Sequence, residues 1–258
     1  MFSPFPKRPT TMAQGWQNNM REFDPRYEVS GSTTGTGAPA ESQKVIAFFI
    51  GGAGDKESYY GAGPYHNIEV PKTILDNWEG GLKSKDLYIS YDLGYYQIHN
   101  DSDIKKFVID VIPTKSNPVY IVGHSLGGWN GAHLSRKLVD AGYNVQMLVT
   151  LDPVGKGFLV ELFSAIPFHP ETTPKAKFWI NVHATPATSD SSDDVADFGV
   201  RWVIPSGPDI NVDSNTHHAD AGGLFNTTAG DGKSVAGMMY MSIRSNTNGA
   251  PTNADSDE

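Results

Sequence analysis

Five short apolar runs punctuate the chain: Lys44-VIAFFI-Gly51, Asp86-LYISY-Asp92, Pro118-VYIV-Gly123, Gln146-MLVTL-Asp152 and Lys177-FWINV-His183. Each has the length and the β-branched and aromatic content of a strand. Their apolar residues stand at consecutive rather than alternate positions, as in strands covered on both faces of a parallel sheet. The segments between them are longer and mixed in polarity, and their spacing predicts helices over Val70–Trp78, Asp103–Ile112 and Leu126–Ala141. In the second of these, Ile104, Phe107, Val108 and Val111 recur at three- and four-residue intervals behind Asp101 and Ser102, the candidate caps. Alternation of strand and helix predicts an α/β fold with a mostly parallel sheet and helices on both faces. In such sheets ligands sit outside the carboxyl ends of the strands, so the chemistry belongs in the loops that follow each run.

The pattern covers residues 44–244. Residues 1–43 are poor in aliphatics and finish in a Gly/Ser/Thr/Pro stretch, which reads as an arm or linker, with Trp16, Phe23 and Tyr27 available to pin it to the body. Residues 245–258 form a polar tail. Of the 258 residues, 38% are hydrophobic, enough for a sizeable core. The 29 acidic residues outnumber 20 basic ones for a net charge of −9, the wrong sign for a charge-driven nucleic-acid binder. Absence of cysteine removes thiolate nucleophiles, thiolate metal sites and disulfides. No apolar run approaches the roughly 20 residues of a membrane span, so no transmembrane segment is expected. The proline-broken N-terminus does not read as a secretory signal, which predicts a chain made and kept in the cytoplasm unless a specialised route exports it.

Chemistry concentrates where the third run ends. Gly123-His124-Ser125-Leu126-Gly127-Gly128 stands between a predicted strand and a predicted helix. A GxSxG pattern in that context marks a turn so tight that its flanking positions must be nearly free of side chain, leaving the Ser125 hydroxyl projecting from the sheet. Ser125 is the candidate nucleophile, and the Leu126 N–H at the helix start is the first candidate oxyanion donor. The glycine-rich bend after the first strand, Gly51-Gly52-Ala53-Gly54, offers the second donor through Gly52 or Ala53. That bend lacks the Lys-Ser or Lys-Thr of a phosphate loop and forms no GxGxxG. A serine hydroxyl needs a histidine base and a group to orient it. Asp152, at the end of the next strand, is the candidate acid. Among eight histidines, those of the late polar loop fit the chain order Ser, Asp, His, with His218 first and His217 second. His183 ends a strand and could reach the site, but reads first as an ordinary histidine at a strand end. Asp190, Asp193, Asp194 and Asp197 compete with Asp152, standing where the acid would come if it were one strand later, but read first as a solvated acidic loop; the first three are candidate ligands for a hard cation such as calcium, at a spacing that fits no calcium-loop pattern. No cofactor is expected.

These residues resemble the α/β-hydrolase family, in particular lipases whose acid follows the strand directly after the nucleophile. FIGGAGDK, TLDPVG, WINVHATPATSDSSD and HHADA are further similar to lipase-like effectors of the bacterial type VI secretion system. The resemblance implies an ester substrate such as a phospholipid, and in the closer family an immunity protein and secretion components as partners. The unusually apolar stretch after Asp152 supplies Phe158, Leu162 and Phe163 for an acyl groove or lid, or else for a helix packed on the sheet. A short-chain esterase or thioesterase, and a non-catalytic binding protein on the same fold, are the alternatives.

Overall fold

The fold is that of a computed structural model, which describes residues 44–55, 66–78, 82, 87–155, 157 and 171–248. The arm, the end of the tail and the stretch with Phe158, Leu162 and Phe163 lie outside the described residues. Among the described residues six strands form one sheet: β1 (Val45–Gly51), β2 (Tyr88–Gly94), β3 (Val119–His124), β4 (Val145–Leu151), β5 (Phe178–Ala184) and β6 (Ile210–Ser214), in the order β2-β1-β3-β4-β5-β6. All neighbours are parallel. The five predicted runs are β1 to β5. β6, INVDS, escaped the sequence reading because Asn211 and Asp213 alternate with its apolar residues at an edge that is covered less completely. β2 runs on through Asp92, whose carboxylate meets Lys72 Nζ at 3.2 Å.

Alternate residues of β1 feed two cores. Val45, Ala47 and Phe49 face one side, against Ile68 and Leu75 of α1 (His66–Asp76), Leu224 of α5 (Ala221–Phe225) and Met239 of α6 (Val235–Asn248). Ile46, Phe48 and Ile50 face the other, against Ile104 of α2 (Asp101–Phe107) and Trp129, Leu134 and Leu138 of α3 (Leu126–Asp140). Helices on both faces explain why strand residues are apolar without alternation. α2 is capped by the Asn100 side chain, which accepts from the Asp103 N–H at 2.9 Å, one residue before the caps expected from sequence. The acidic stretch expected to be a solvated loop is instead α4 (Ser191–Phe198), with Asp190 as its cap and Asp193 in a capping box. Among the described residues, no helix is long and apolar enough to cross a membrane.

From β1 the chain moves outward to β2, then returns to place β3 on the opposite side of β1. The crossovers after β1 and β3 therefore leave in opposite directions, and the carboxyl ends of these two strands, with Gly52 and Ser125 just beyond them, are where a ligand of such a sheet belongs.

Candidate active site

Ser125 caps α3 with φ 55° and ψ −126°, a conformation costly for any residue with a Cβ. Four backbone bonds hold it there: its N–H donates to Leu151 O at 3.0 Å, and its carbonyl accepts from Gly128 N at 2.9 Å, Val154 N at 3.0 Å and Trp129 N at 3.3 Å. The strained turn lets α3 return directly over β3 and β1. A Cβ on Gly127 would lie 2.1 Å from Ile50 O, and one on Gly123 would lie 2.3 Å from Gly127 O, so both flanking positions exclude side chains. The serine side chain makes no capping bond. Its hydroxyl points instead to His218, with 3.0 Å between Oγ and Nε2.

His218 follows β6 and is buried. Its Nδ1 lies 2.7 Å from Asp152 Oδ2. A carboxylate can only accept, so Nδ1 carries the proton and Nε2 is left to receive that of the serine. Asp152 is fully buried after β4 and also sits at positive φ, 40°. Burial alone would raise its pKa, but hydrogen bonds from His183 and His218 and the charges of His218 and Arg201 outweigh it and hold the carboxyl well below the ordinary range.

The structure thus brings Ser125, His218 and Asp152 into one hydrogen-bonded chain. His217, the second choice, turns away: its Nδ1 donates to Asp193 Oδ2 at 2.9 Å, and that bond raises its pKa. Of the oxyanion candidates, Leu126 begins α3 and Gly52 packs against the serine, where a Cβ would lie 2.6 Å from Ser125 Cβ. The Gly52 N–H, however, is turned to Asp55 Oδ2 at 3.2 Å. Among the described residues the N–H groups of Ala53 and Leu126 have no such partner, so Ala53 is the better placed of the two candidates on that loop. The buried Asp55 also accepts from Asn67 N at 2.8 Å, tying this loop to the start of α1. Burial raises its pKa despite these bonds.

Four residues around the chain carry parts that sequence reasoning did not assign. His183 is no ordinary strand-end histidine, since its Nδ1 lies 3.2 Å from Asp152 Oδ1 and its Nε2 is buried with no partner among the described residues. His124 donates from Nε2 to His218 O at 2.7 Å, and burial, then the charge of His218, pushes its pKa down to about 3. Arg201 Nε donates to Asp152 Oδ2 at 2.9 Å. Asp193, 1% exposed, accepts the His218 N–H at 3.1 Å. None of these pairings has a local signature, because every partner is more than twenty residues away in sequence.

Asp190, Asp193 and His217 offer ligand atoms within 4.8 Å of one another, whereas Asp194 is exposed and stands outside this group. Asp193 accepts from the N–H groups of Asp190 and His218, from His217 and from Arg201, so both of its oxygens already have donors.

A parallel α/β sheet with a serine on a strained strand-to-helix elbow is the architecture of the α/β hydrolases. No protein-family model and no curated protein matches the chain. One solved structure, the crystal structure of a metagenomic carboxyl esterase, is 13% identical over 87% of this chain and 78% of that one, with a TM-score of 0.37, a likeness too loose to bear on function.

Proposed function

We propose that the protein is a serine hydrolase of carboxylic esters, with Ser125, His218 and Asp152 as its catalytic triad. The observation that carries this is the unbroken chain from Ser125 Oγ through the His218 ring to Asp152, on an elbow whose strain exposes the hydroxyl. Ser125 Oγ attacks the ester carbonyl carbon while His218 Nε2 takes its proton. The oxyanion is met by the N–H groups of Leu126 and Ala53. Collapse expels the alcohol, which receives the proton from His218, and leaves an acyl-serine. Water, deprotonated by the same nitrogen, attacks the acyl carbon; the acid departs and Ser125 regains its proton. Asp152 holds the imidazole tautomer and balances the imidazolium.

Lipid esters are the proposed substrate class. Four exposed apolar side chains, Val195, Phe198, Val200 and Val203, cluster on α4 and the segment after it, the same segment whose Arg201 touches Asp152. The sequence of the stretch after Gly157 is apolar as well. The test is hydrolysis of an ester chain-length series and of phospholipid vesicles by wild type and Ser125→Ala, with fluorophosphonate labelling in parallel. Long-chain or phospholipid turnover lost in the variant supports the reading, and short-chain turnover alone redirects it to a small-ester esterase. A folded wild type that neither turns over nor labels would be a binding protein.

The likeness of FIGGAGDK and HHADA to type VI effectors supports use of this activity against neighbouring cells. Growth arrest on periplasmic production of wild type, absent with Ser125→Ala, is the expected result.

A further inference from the structure

The Arg201 side chain is only 8% exposed, and all three of its nitrogens point at carboxylates. Nε donates to Asp152 Oδ2 at 2.9 Å, Nη2 to Asp193 Oδ1 at 2.8 Å and Nη1 to Asp197 Oδ1 at 2.8 Å. The first two acceptors are the oxygen atoms that also hold His218: Asp152 Oδ2 takes its Nδ1–H and Asp193 Oδ1 takes its backbone N–H. Guanidinium, two carboxylates and one histidine therefore close a ring.

We propose that Arg201 is a positioning residue of the site, holding the acid and both ends of the base in register and limiting, through its charge, how readily the imidazole takes a proton. This rests on the triad reading above. A planar fork holds its donors on separate carboxylates from different nitrogens at fixed angles, a geometry that the single, freely turning nitrogen of a lysine cannot reproduce. Its permanent positive charge beside Asp152 competes with the imidazolium for the same negative charge.

The backbone around Arg201 is shaped to deliver it. Val200, a β-branched residue, is held at φ 59°, in the left-handed region that its side chain disfavours. The segment is anchored independently of the guanidinium, by Trp202 N to Pro153 O at 2.7 Å and by Gly157 N to Gly199 O at 3.1 Å. Trp202 itself is buried. Val200 stands just past the C-cap of α4 and donates its N–H to Asp197 O at 3.1 Å, so the left-handed residue ends the helix and turns the chain into the segment that carries Arg201.

The groups that face this ring are few. Asp152 is faced by His183 from β5, His218 from the loop after β6, and Arg201. Arg201 is faced by Asp152 and by Asp193 and Asp197 of α4. His218 is faced by Ser125, Asp152 and His124, its ring centroid 4.9 Å from that of His124. His217 engages Asp193 and Asp190. Among these described groups Arg201 carries the one permanent positive charge.

The test compares wild type, Arg201→Gln and Arg201→Lys in the full chain, by the pH profile of kcat/KM on p-nitrophenyl butyrate and by NMR titration of the His218 ring, assigned from a His218→Gln sample. Arg201→Gln is expected to move the acid limb and the His218 resonance to higher pH by about one unit, and to lower kcat about tenfold or more with KM within about twofold. Arg201→Lys keeps the charge and so the limb, but loses the fork and so several-fold in kcat. An unmoved limb and unmoved resonance in a folded Arg201→Gln overturns the electrostatic part, and unchanged kcat in Arg201→Lys overturns the positioning part. Should Arg201→Gln not fold, the lysine variant decides on kcat alone. If wild type turns over no ester, the triad reading fails separately, and the NMR titration still reads the coupling of Arg201 to His218.

Discussion

At Ser125 the backbone and the proposed chemistry make opposite demands. With φ 55° and ψ −126° the residue stores on the order of 1–3 kcal/mol of strain, kept by the surrounding hydrogen bonds. Removing the hydroxyl leaves that strain in Ser125→Ala, whereas Ser125→Gly relieves it at the cost of unfolded-state entropy, about 0.5–1 kcal/mol. Both variants should be inactive, and the glycine variant should be more stable by about 1 kcal/mol. A glycine variant less stable than the alanine variant by about 0.5–1 kcal/mol in urea would show the elbow unstrained. Asp152→Asn should leave the fold intact yet lower kcat about 10³–10⁴-fold, since an amide that donates to Nδ1 imposes the wrong imidazole tautomer; steady-state kinetics beside a circular dichroism spectrum checks this. His124 contributes to acid sensitivity. Its pKa is pushed down to about 3 in the fold, by burial first, against about 6.5 unfolded. Between those values the unfolded chain binds a proton that the folded chain refuses. The contribution is complete above about pH 6.5 and drains by about 1.4 kcal/mol per unit as pH falls towards 3. Urea unfolding of wild type and His124→Gln from pH 7 to 4 should give a shallower slope for the variant, and parallel slopes would remove His124 from the account.

At the scale of elements, the elbow works because α3 lies almost in contact with the backbone of β1. A Cβ on Gly127 would approach Ile50 O to 2.1 Å, and backbone cannot swing aside as a side chain can. Gly127→Ala is therefore expected to cost about 1–3 kcal/mol or more and to displace the helix that carries the Leu126 N–H. A lowered thermal midpoint with esterase activity lost is the outcome to look for; an unaffected enzyme would mean that the crossing has slack. α4 shows how an element hides in a sequence. Its three acidic residues and the Asp190 cap suggest solvent, yet Asp193 is turned inward because His217, the His218 backbone and Arg201 supply its donors. An acidic side chain can be buried when its charge is paired, and pairing across the sheet edge leaves no trace in local composition.

For the molecule as a whole, one sheet separates two cores. Ile180 points into one and Ile121 into the other, both fully buried. Each Ile→Val change should cost about 0.5–1.5 kcal/mol. The double variant should show the sum within about 0.5 kcal/mol, because neither side chain shares a partner with the other; a larger coupling in urea unfolding would mean that strain passes through the sheet.

The parallel α/β layout was legible in the chain because burial on both faces imposes consecutive apolar residues, a signal each strand carries by itself. β6 lacked it, being an edge strand with polar alternate positions. Ser125, Asp152 and His218 were nameable because strand-end loops in such a sheet must converge on one edge. Which histidine faces the serine was a matter of orientation, decided by His218 turning to Asp152 while His217 turns to Asp193. The contacts of His183, His124, Asp193 and Arg201 around that chain belong to tertiary structure alone. They join residues far apart in sequence through single hydrogen bonds, and the direction of a hydrogen bond is set only when the packed backbone has fixed where each side chain begins.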